Sequence, residues 1–409
     1  MKPSQQCVRD FDAPERKAYV NALFIVGTLG TLITPALLQA WANLHWTQSQ
    51  LGIVAGIELA ALAAGSLTGL YWQRRWNWQH ITFGSLSLGV IANASCIVLD
   101  DFASVCVARG AVGLAGGFLC VIYSAFLANT KSPGRMIAVT IFIQIGVEAA
   151  FLFSTTSVFD RLGSGGLFVL MAALLVILIP FLGILPRGWP TEPAAAAATT
   201  ASEAHSWRGY PLLLSFVPFV LVQTGVYTFL GEFGQLAAHL SVEQTLRAIG
   251  ISVVLSSLGS VAAYVLSDRA GLLLPIGGAI AVMIATMCAM ILASRSAAMF
   301  LGYISLLQIA WIFLNCYLYS ALINANNLLV PAATPLSSFG SAFGASAMGY
   351  VLQHGGLMGS LWLALGALGL TALLTMPLLT RARGRHAAGT SAFPSREMRG
   401  TEKVSRHRA

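Results

Sequence analysis

The stretch Arg109-Gly-Ala-Val-Gly-Leu-Ala-Gly-Gly117 lies inside an apolar run over residues 102–128. At 1.5 Å of rise per residue, about 20 residues cross a bilayer, so this run is long enough to do so and carries an arginine inside it. A guanidinium at the centre of a span costs roughly 2.5–3.5 kcal/mol on insertion scales, and is kept where it faces protein or a watery cavity and meets a carboxylate. Two acids, Glu58 and Glu148, lie well inside other apolar runs of the chain.

Working outward, the whole sequence has the same character. Its 409 residues are 56% hydrophobic and 9% charged, whereas a soluble domain carries about 25% charged residues. Twelve apolar runs follow one another, over 18–41, 49–71, 79–99, 103–127, 135–158, 166–185, 211–238, 247–267, 271–293, 297–320, 332–352 and 357–379. A transmembrane barrel would show alternating ten-residue segments; these runs are continuous, so the expected class is an all-α integral membrane protein of twelve transmembrane helices.

Charge gives the orientation. Of the net charge of +8, +6 sits after residue 380, where a basic, disordered tail over 381–409 suits a cytoplasmic, lipid-touching segment better than a nucleic-acid partner. With the N-terminus inside, nineteen Lys and Arg fall on the cytoplasmic side and three (Arg161, Arg247, Arg295) outside, so both termini are expected in the cytoplasm of a plasma (inner) membrane protein. The first 17 residues are polar and the first apolar run is too long for a signal h-region, so no cleavable leader is expected. The six cysteines show no C-x-x-C spacing and read as small apolar filler.

An internal repeat is visible. Thr47 with Gln50 and Ser241 with Gln244 both form a capping-box pattern and lie 194 residues apart, as do Gly65-Ser66 and Gly259-Ser260, and Arg75 and Arg269. Between the copies, residues 186–209 carry three prolines, an alanine run and a polar group, the composition of a linker. The expected units are a cytoplasmic segment over 1–17, a six-helix bundle over 18–185, the linker, a second six-helix bundle over 210–380, and the tail.

Helix 8 ends Gly259-Ser-Val-Ala-Ala-Tyr-Val-Leu-Ser-Asp268-Arg269-Ala-Gly271, and helix 4 carries an arginine followed by spaced glycines. With the duplicated bundles, these motifs resemble the major facilitator superfamily (MFS) over residues 18–380. The resemblance implies two pseudo-symmetric halves rocking around a midplane site. It also implies a gate in which Asp268, beside Arg269, docks near the start of helix 5 at Ser132-Pro133-Gly134-Arg135. The first-half copy of the loop motif has the arginines but lacks the aspartate.

Helix direction puts Glu58, Arg109 and Glu148 in the middle to outer part of one bundle. Together they leave one excess acid, which a proton or a bound cation must neutralise. They are therefore expected to converge as a proton-coupling centre, with Arg109 paired to Glu148 and Glu58 carrying the proton; the bland alternative is a permanent buried salt bridge. Gln144 lies one turn before Glu148. Helix 10 places Gln308, Trp311, Asn315 and Tyr319 on one face, and helix 7 adds Gln223 and Tyr227. By the resemblance, helices 1, 4, 7 and 10 line the cavity, so Gln223, Tyr227, Gln308, Trp311 and Asn315 are expected substrate-binding side chains, and Gln144, in a network with Glu148 on helix 5, is expected to join them. For Tyr319 ordinary packing is as good a reading, and Glu232 is either a gate or an interfacial group.

The expected function is proton-coupled symport of an amphipathic or aromatic organic solute, with proton antiport as the alternative because helix 5 lacks the proline-containing glycine motif of many drug antiporters. A membrane-embedded enzyme would need a nucleophile, base and orienting group in mutual reach; the seven histidines fall at helix ends, loops or tails. No glycine loop followed by lysine offers an ATP site, and no cofactor or metal is expected. A transporter-like receptor would need an output domain, for which the 29 residues after Thr380 are too few. A monomer is sufficient for this fold.

Overall fold

The computed structural model describes residues 11–41, 44–188, 209–266, 271–326 and 329–390, and the elements among them are helical, with no strand. Span 1 is made of Pro14–Leu32 and Thr34–Ala40, bent by 56°. Pro35 explains the bend, because it has no N–H to continue the ladder. Spans 2 to 5 are Gln48–Trp72, Trp78–Ser95, Phe102–Leu127 and Pro133–Leu162. Span 6 is Gly166–Leu178, tightened at its end into the 3₁₀ turn Ile179–Ile184.

In the second half, span 7 is Gly209–Thr228 followed, across Phe229, by Leu230–Ala238. Spans 8, 9 and 10 are Val242–Leu266, Leu273–Ala293 and Ala297–Asn326. Spans 11 and 12 form one continuous element, Val330–Thr390, broken at Gly356, whose φ of 57° is open to glycine without strain. That element runs past residue 380, where the second bundle was expected to end.

Nine of the helices among the described residues are long and apolar enough to cross a membrane, ten with the bent pair of span 1. The stretch Pro335–Pro377, counted once there, passes twice because of the break at Gly356. Span 3, with its glutamine, histidine and serines, is not among these and completes the twelve.

The starts of the helices follow their sequence signals. Thr47 accepts from the Gln50 N–H while the Gln50 side chain accepts from the Thr47 N–H, the reciprocal pair of a capping box. Ser241 and Gln244 repeat it at span 8, at 3.2 and 3.1 Å. Asp101 caps span 4 by accepting from Ser104 N–H at 3.0 Å.

Two close crossings set the architecture. A Cβ on Gly113 would strike the backbone carbonyl of Glu58, and one on Gly117 would strike the backbone of Leu62 and Gly65, so spans 2 and 4 meet backbone to backbone as small-xxx-small rows allow. Between the halves, Gly52 and Gly56 of span 2 lie against Ala342, Ala345, Ser346 and Gly349 of span 11. Ser49 N–H donates to Gln353 Oε1 at 3.1 Å, and Ser346 Oγ to Gly52 O at 3.4 Å.

The cores tell the same story. One apolar cluster runs through both halves, from Leu29, Ile33 and Trp41 to Phe216, Phe229 and Phe233. A second belongs to the first half alone and gathers Phe11, Tyr19, Trp72, Trp78, Phe126 and Leu185. The halves are thus sealed on the side of Thr47 and Ser241, whereas on the side of Arg135 the first half keeps a core of its own.

Gly113→Ala should lower stability by about 1–3 kcal/mol, the usual cost of overpacking. Gly146→Ala, where nothing stands within 4 Å of the added carbon, should be neutral or stabilise by roughly 0.5–1 kcal/mol. Thermal unfolding of both proteins in the same detergent checks the contrast.

Candidate functional site

Arg109 is fully buried. Its Nε and Nη2 donate to Glu58 Oε2 at 3.0 and 2.5 Å, and Nη1 donates to Asn93 Oδ1 at 3.3 Å. The rings of Trp41 and Phe168 lie 6.0 Å from the guanidinium carbon. The expected pairing of Arg109 with Glu148 is therefore corrected: the partner is Glu58. The reason is the glycine crossing. Gly113, one turn beyond Arg109, lets span 4 rest on the backbone of Glu58, so the Glu58 carboxylate reaches the guanidinium. Glu58 is thus occupied by the cation.

The expected single pocket holding all three ionisable groups is corrected as well. A cavity of about 470 Å³ lies between the halves, and its lining includes Glu148 but neither Glu58 nor Arg109. Span 5 contributes Gln144 and Glu148, span 7 Gln223 and Tyr227, and span 10 Gln308, Trp311 and Asn315. The six side chains expected to face a solute are all in this lining. Thr31 and Leu32 of span 1, Ser256 and Ser260 of span 8, Thr224 of span 7 and Ser341 of span 11 complete its polar and backbone surface.

Glu148 is buried, and its Oε1 is in hydrogen-bond contact with the Tyr227 hydroxyl, which also stands 2.7 Å from the Leu32 carbonyl oxygen. An acid of the first half is thereby joined to a tyrosine of the second. Elsewhere in the lining, Gln308 Nε2 donates to Ser252 Oγ at 2.7 Å, and Thr224 Oγ1 to Ser341 Oγ at 2.8 Å. The indole N–H of Trp311 is buried with no hydrogen-bond partner. Tyr319 packs its ring on Phe216 with centroids 4.8 Å apart and is absent from the lining, in keeping with the packing reading.

Glu232, in the second piece of span 7, is half-buried. Of the gating residues, Arg135 is exposed at the start of span 5; Asp268 and Arg269 lie outside the described residues. Among the described residues, no group of three His, Cys, Asp or Glu is placed to hold a metal, and five cysteines are free.

Three features were not anticipated from sequence. Asn93 is the amide partner of Arg109, and an asparagine inside a membrane-length run, near the end of span 3, is a signal for it. The Leu32 carbonyl is released by the break at Ile33, for which Thr34-Pro35 was the signal. The small hydroxyls lining the cavity had no signal beyond their abundance in membrane helices.

A family model described as Major Facilitator Superfamily matches residues 20–335. An uncharacterized MFS-type transporter, YceJ of Bacillus subtilis (strain 168), is 22% identical over 271 residues, covering 61% of this chain and 65% of that protein. The match thus spans just under two thirds of the relative's own length. Among solved structures, the nucleoside transporter NupG is similar with a TM-score of 0.66 at 14% identity, over 90% of this chain and 98% of that one. A bacterial homolog of the human lysosomal transporter Spinster, solved inward-facing and unoccupied, gives 0.62 at 16% identity, over 93% of this chain and 98% of that one. At these identities the likeness to solved structures is one of fold.

Removing one partner of a buried ion pair leaves an uncompensated charge, a loss of about 3–5 kcal/mol. Glu58→Gln should cost stability on that scale, and the double variant Glu58→Gln/Arg109→Gln should recover much of it. Thermal unfolding of the two variants beside the wild type decides this; equal losses would mean the pair is not what holds these groups.

Proposed function

This chain belongs to the Major Facilitator Superfamily, and from that premise we propose that it moves a small amphipathic or aromatic organic solute by proton-coupled symport, its halves rocking around the central cavity. It is a multi-pass membrane protein and a transporter of a solute rather than an enzyme.

The observation that carries the coupling is the place of Glu148. Glu58 and Arg109 neutralise each other outside the cavity, so Glu148 is the uncompensated carboxyl, and it faces the space a solute would occupy. No Lys, Arg or His is in the described lining. Neutralisation must then come from a proton or from a cation that enters the cavity. A neutral solute held by Gln144, Gln223, Gln308, Asn315 and the Trp311 ring meets an uncharged cavity only once Glu148 holds its proton, and so the two cross together.

A second reading, proton antiport of a hydrophobic cation, is favoured by the same lone carboxylate, which such a solute would occupy in place of the proton. In either cycle Glu58 and Arg109 order the first half. The excess of Lys and Arg on the Arg135 side suits the cytoplasm, with both termini there in a plasma membrane. The working unit is the monomer, with no ATP and no nucleic acid involved. We assign the cytoplasmic gate to Asp268, Arg269 and Arg135 from the loop motif in the sequence, the first two lying outside the described residues.

Counterflow in proteoliposomes with a panel of aromatic acids, hydrophobic cations and neutral ring compounds identifies the solute. With it in hand, an imposed gradient of one pH unit is worth about 1.4 kcal/mol, so symport of a neutral solute with one proton should accumulate it about tenfold. Glu148→Gln should abolish this accumulation while counterflow without a gradient persists. Undiminished gradient-driven accumulation by Glu148→Gln would remove Glu148 from the coupling step.

A further inference from the structure

A tyrosine hydroxyl carries one hydrogen, yet the Tyr227 oxygen stands 2.7 Å from the Leu32 carbonyl oxygen and also contacts Glu148 Oε1. A carbonyl can only accept. If the tyrosine hydrogen goes to Leu32, the hydrogen between Tyr227 and Glu148 must come from the carboxyl. If Glu148 is ionised, the tyrosine hydrogen is drawn to the charge, the stronger acceptor. The carbonyl of Leu32 and the hydroxyl oxygen are then left facing each other with no hydrogen between them.

We infer that the bridge from Leu32 O through Tyr227 to Glu148 is complete only when Glu148 is protonated. Tyr227 is thus a positioning residue, one that makes closure of the two halves on the Thr47 side depend on that proton. The inference rests on the reading of Glu148 as the proton site.

The helix breaks make the bridge possible. The N–H of Ala36, whose regular partner would be Leu32, turns to the Ile33 carbonyl at 2.9 Å and shares it with Leu37 at 3.0 Å, and the Leu32 carbonyl is released to a partner from outside its helix. Tyr227 sits two residues before Phe229, where span 7 breaks in turn. The bridge therefore ties the broken helix of one half to the broken helix of the other directly through the Tyr227 hydroxyl, which also meets the acid on span 5. It lies in the same interface as the Gly52 contacts with span 11, so losing it loosens the sealed side.

The groups that face Glu148 across the cavity do not compete for this role. Span 7 presents Tyr227, span 10 the thiol of Cys316 with neutral amides, and spans 1, 8 and 11 present hydroxyls and apolar groups without charge. Of the neighbouring ionisable groups, Glu58 is taken by Arg109.

The test uses the full chain with its native cysteines replaced by serine and spin labels at Asp100 and Arg295, both exposed and on the sealed side of opposite halves. The distance between labels is followed as pH is raised, and thermal unfolding verifies that each variant is folded. The wild type should show a step to longer distances as Glu148 loses its proton. Tyr227→Phe, which keeps the ring and removes the hydroxyl, should lose the step. Glu148→Gln should show no step with pH, because its amide N–H stands in for the carboxyl proton at every pH. A wild-type step in Tyr227→Phe, or an opening of Glu148→Gln with pH, overturns the bridge. Gradient-driven accumulation measured on the same wild-type protein separates the two ideas: if it persists while the bridge fails, proton coupling stands alone, and if it is absent, both fall.

Discussion

A guanidinium inside a bilayer-spanning helix is held by whatever brings a carboxylate to it, and in this protein that is the contact between the backbones of spans 2 and 4. Gly113 and Gly117 let the helices touch without side chains between them, and the carboxylate of Glu58 then lies against Arg109 within hydrogen-bond distance. Asn93 takes a further N–H and two aromatic rings lie beside the cation. Burial makes this arrangement stringent, because each donor left without an acceptor there would cost more than a hydrogen bond contributes net. The first half is built around satisfying that one residue.

The consequence is that the two acids differ in their partners. Glu58 is held by Arg109 within its own half, whereas Glu148 meets Tyr227 of the other half. The halves join through small residues and a few hydrogen bonds on the Thr47 side, a contact that can part as a unit, since packed interfaces tend to be bistable rather than elastic. The breaks in spans 1 and 7 fall beside the cavity, where irregular backbone in a membrane protein is tolerated because it lines a polar space.

Much of this was legible in the residues. The apolar runs and capping boxes located the helices because bilayer thickness and unpaired helix ends impose strong local rules. The stripe Gln308, Trp311, Asn315 and the pair Gln223, Tyr227 were found because helical periodicity puts them on one face. The partner of Arg109 was not legible: both glutamates satisfy the charge argument equally, and the choice depends on how span 4 rolls against span 2. The glycines that set this roll were visible as a row of small residues, but such a row does not say which neighbour it meets. The Tyr227 bridge was hidden for a related reason, since a backbone carbonyl released at a helix break leaves no side-chain signature.

The cancellation of Glu58 by Arg109 also decides which part of a transport cycle the membrane voltage can act upon. A fixed neutral pair contributes no moving charge. In the proposed symport the loaded carrier, with Glu148 protonated and a neutral solute aboard, crosses electrically silent, whereas the empty carrier returns with one negative charge. A potential of 100 mV acts on a unit charge with about 2.3 kcal/mol, so the field would bear on the return of the empty protein and leave the loaded passage to the chemical gradients.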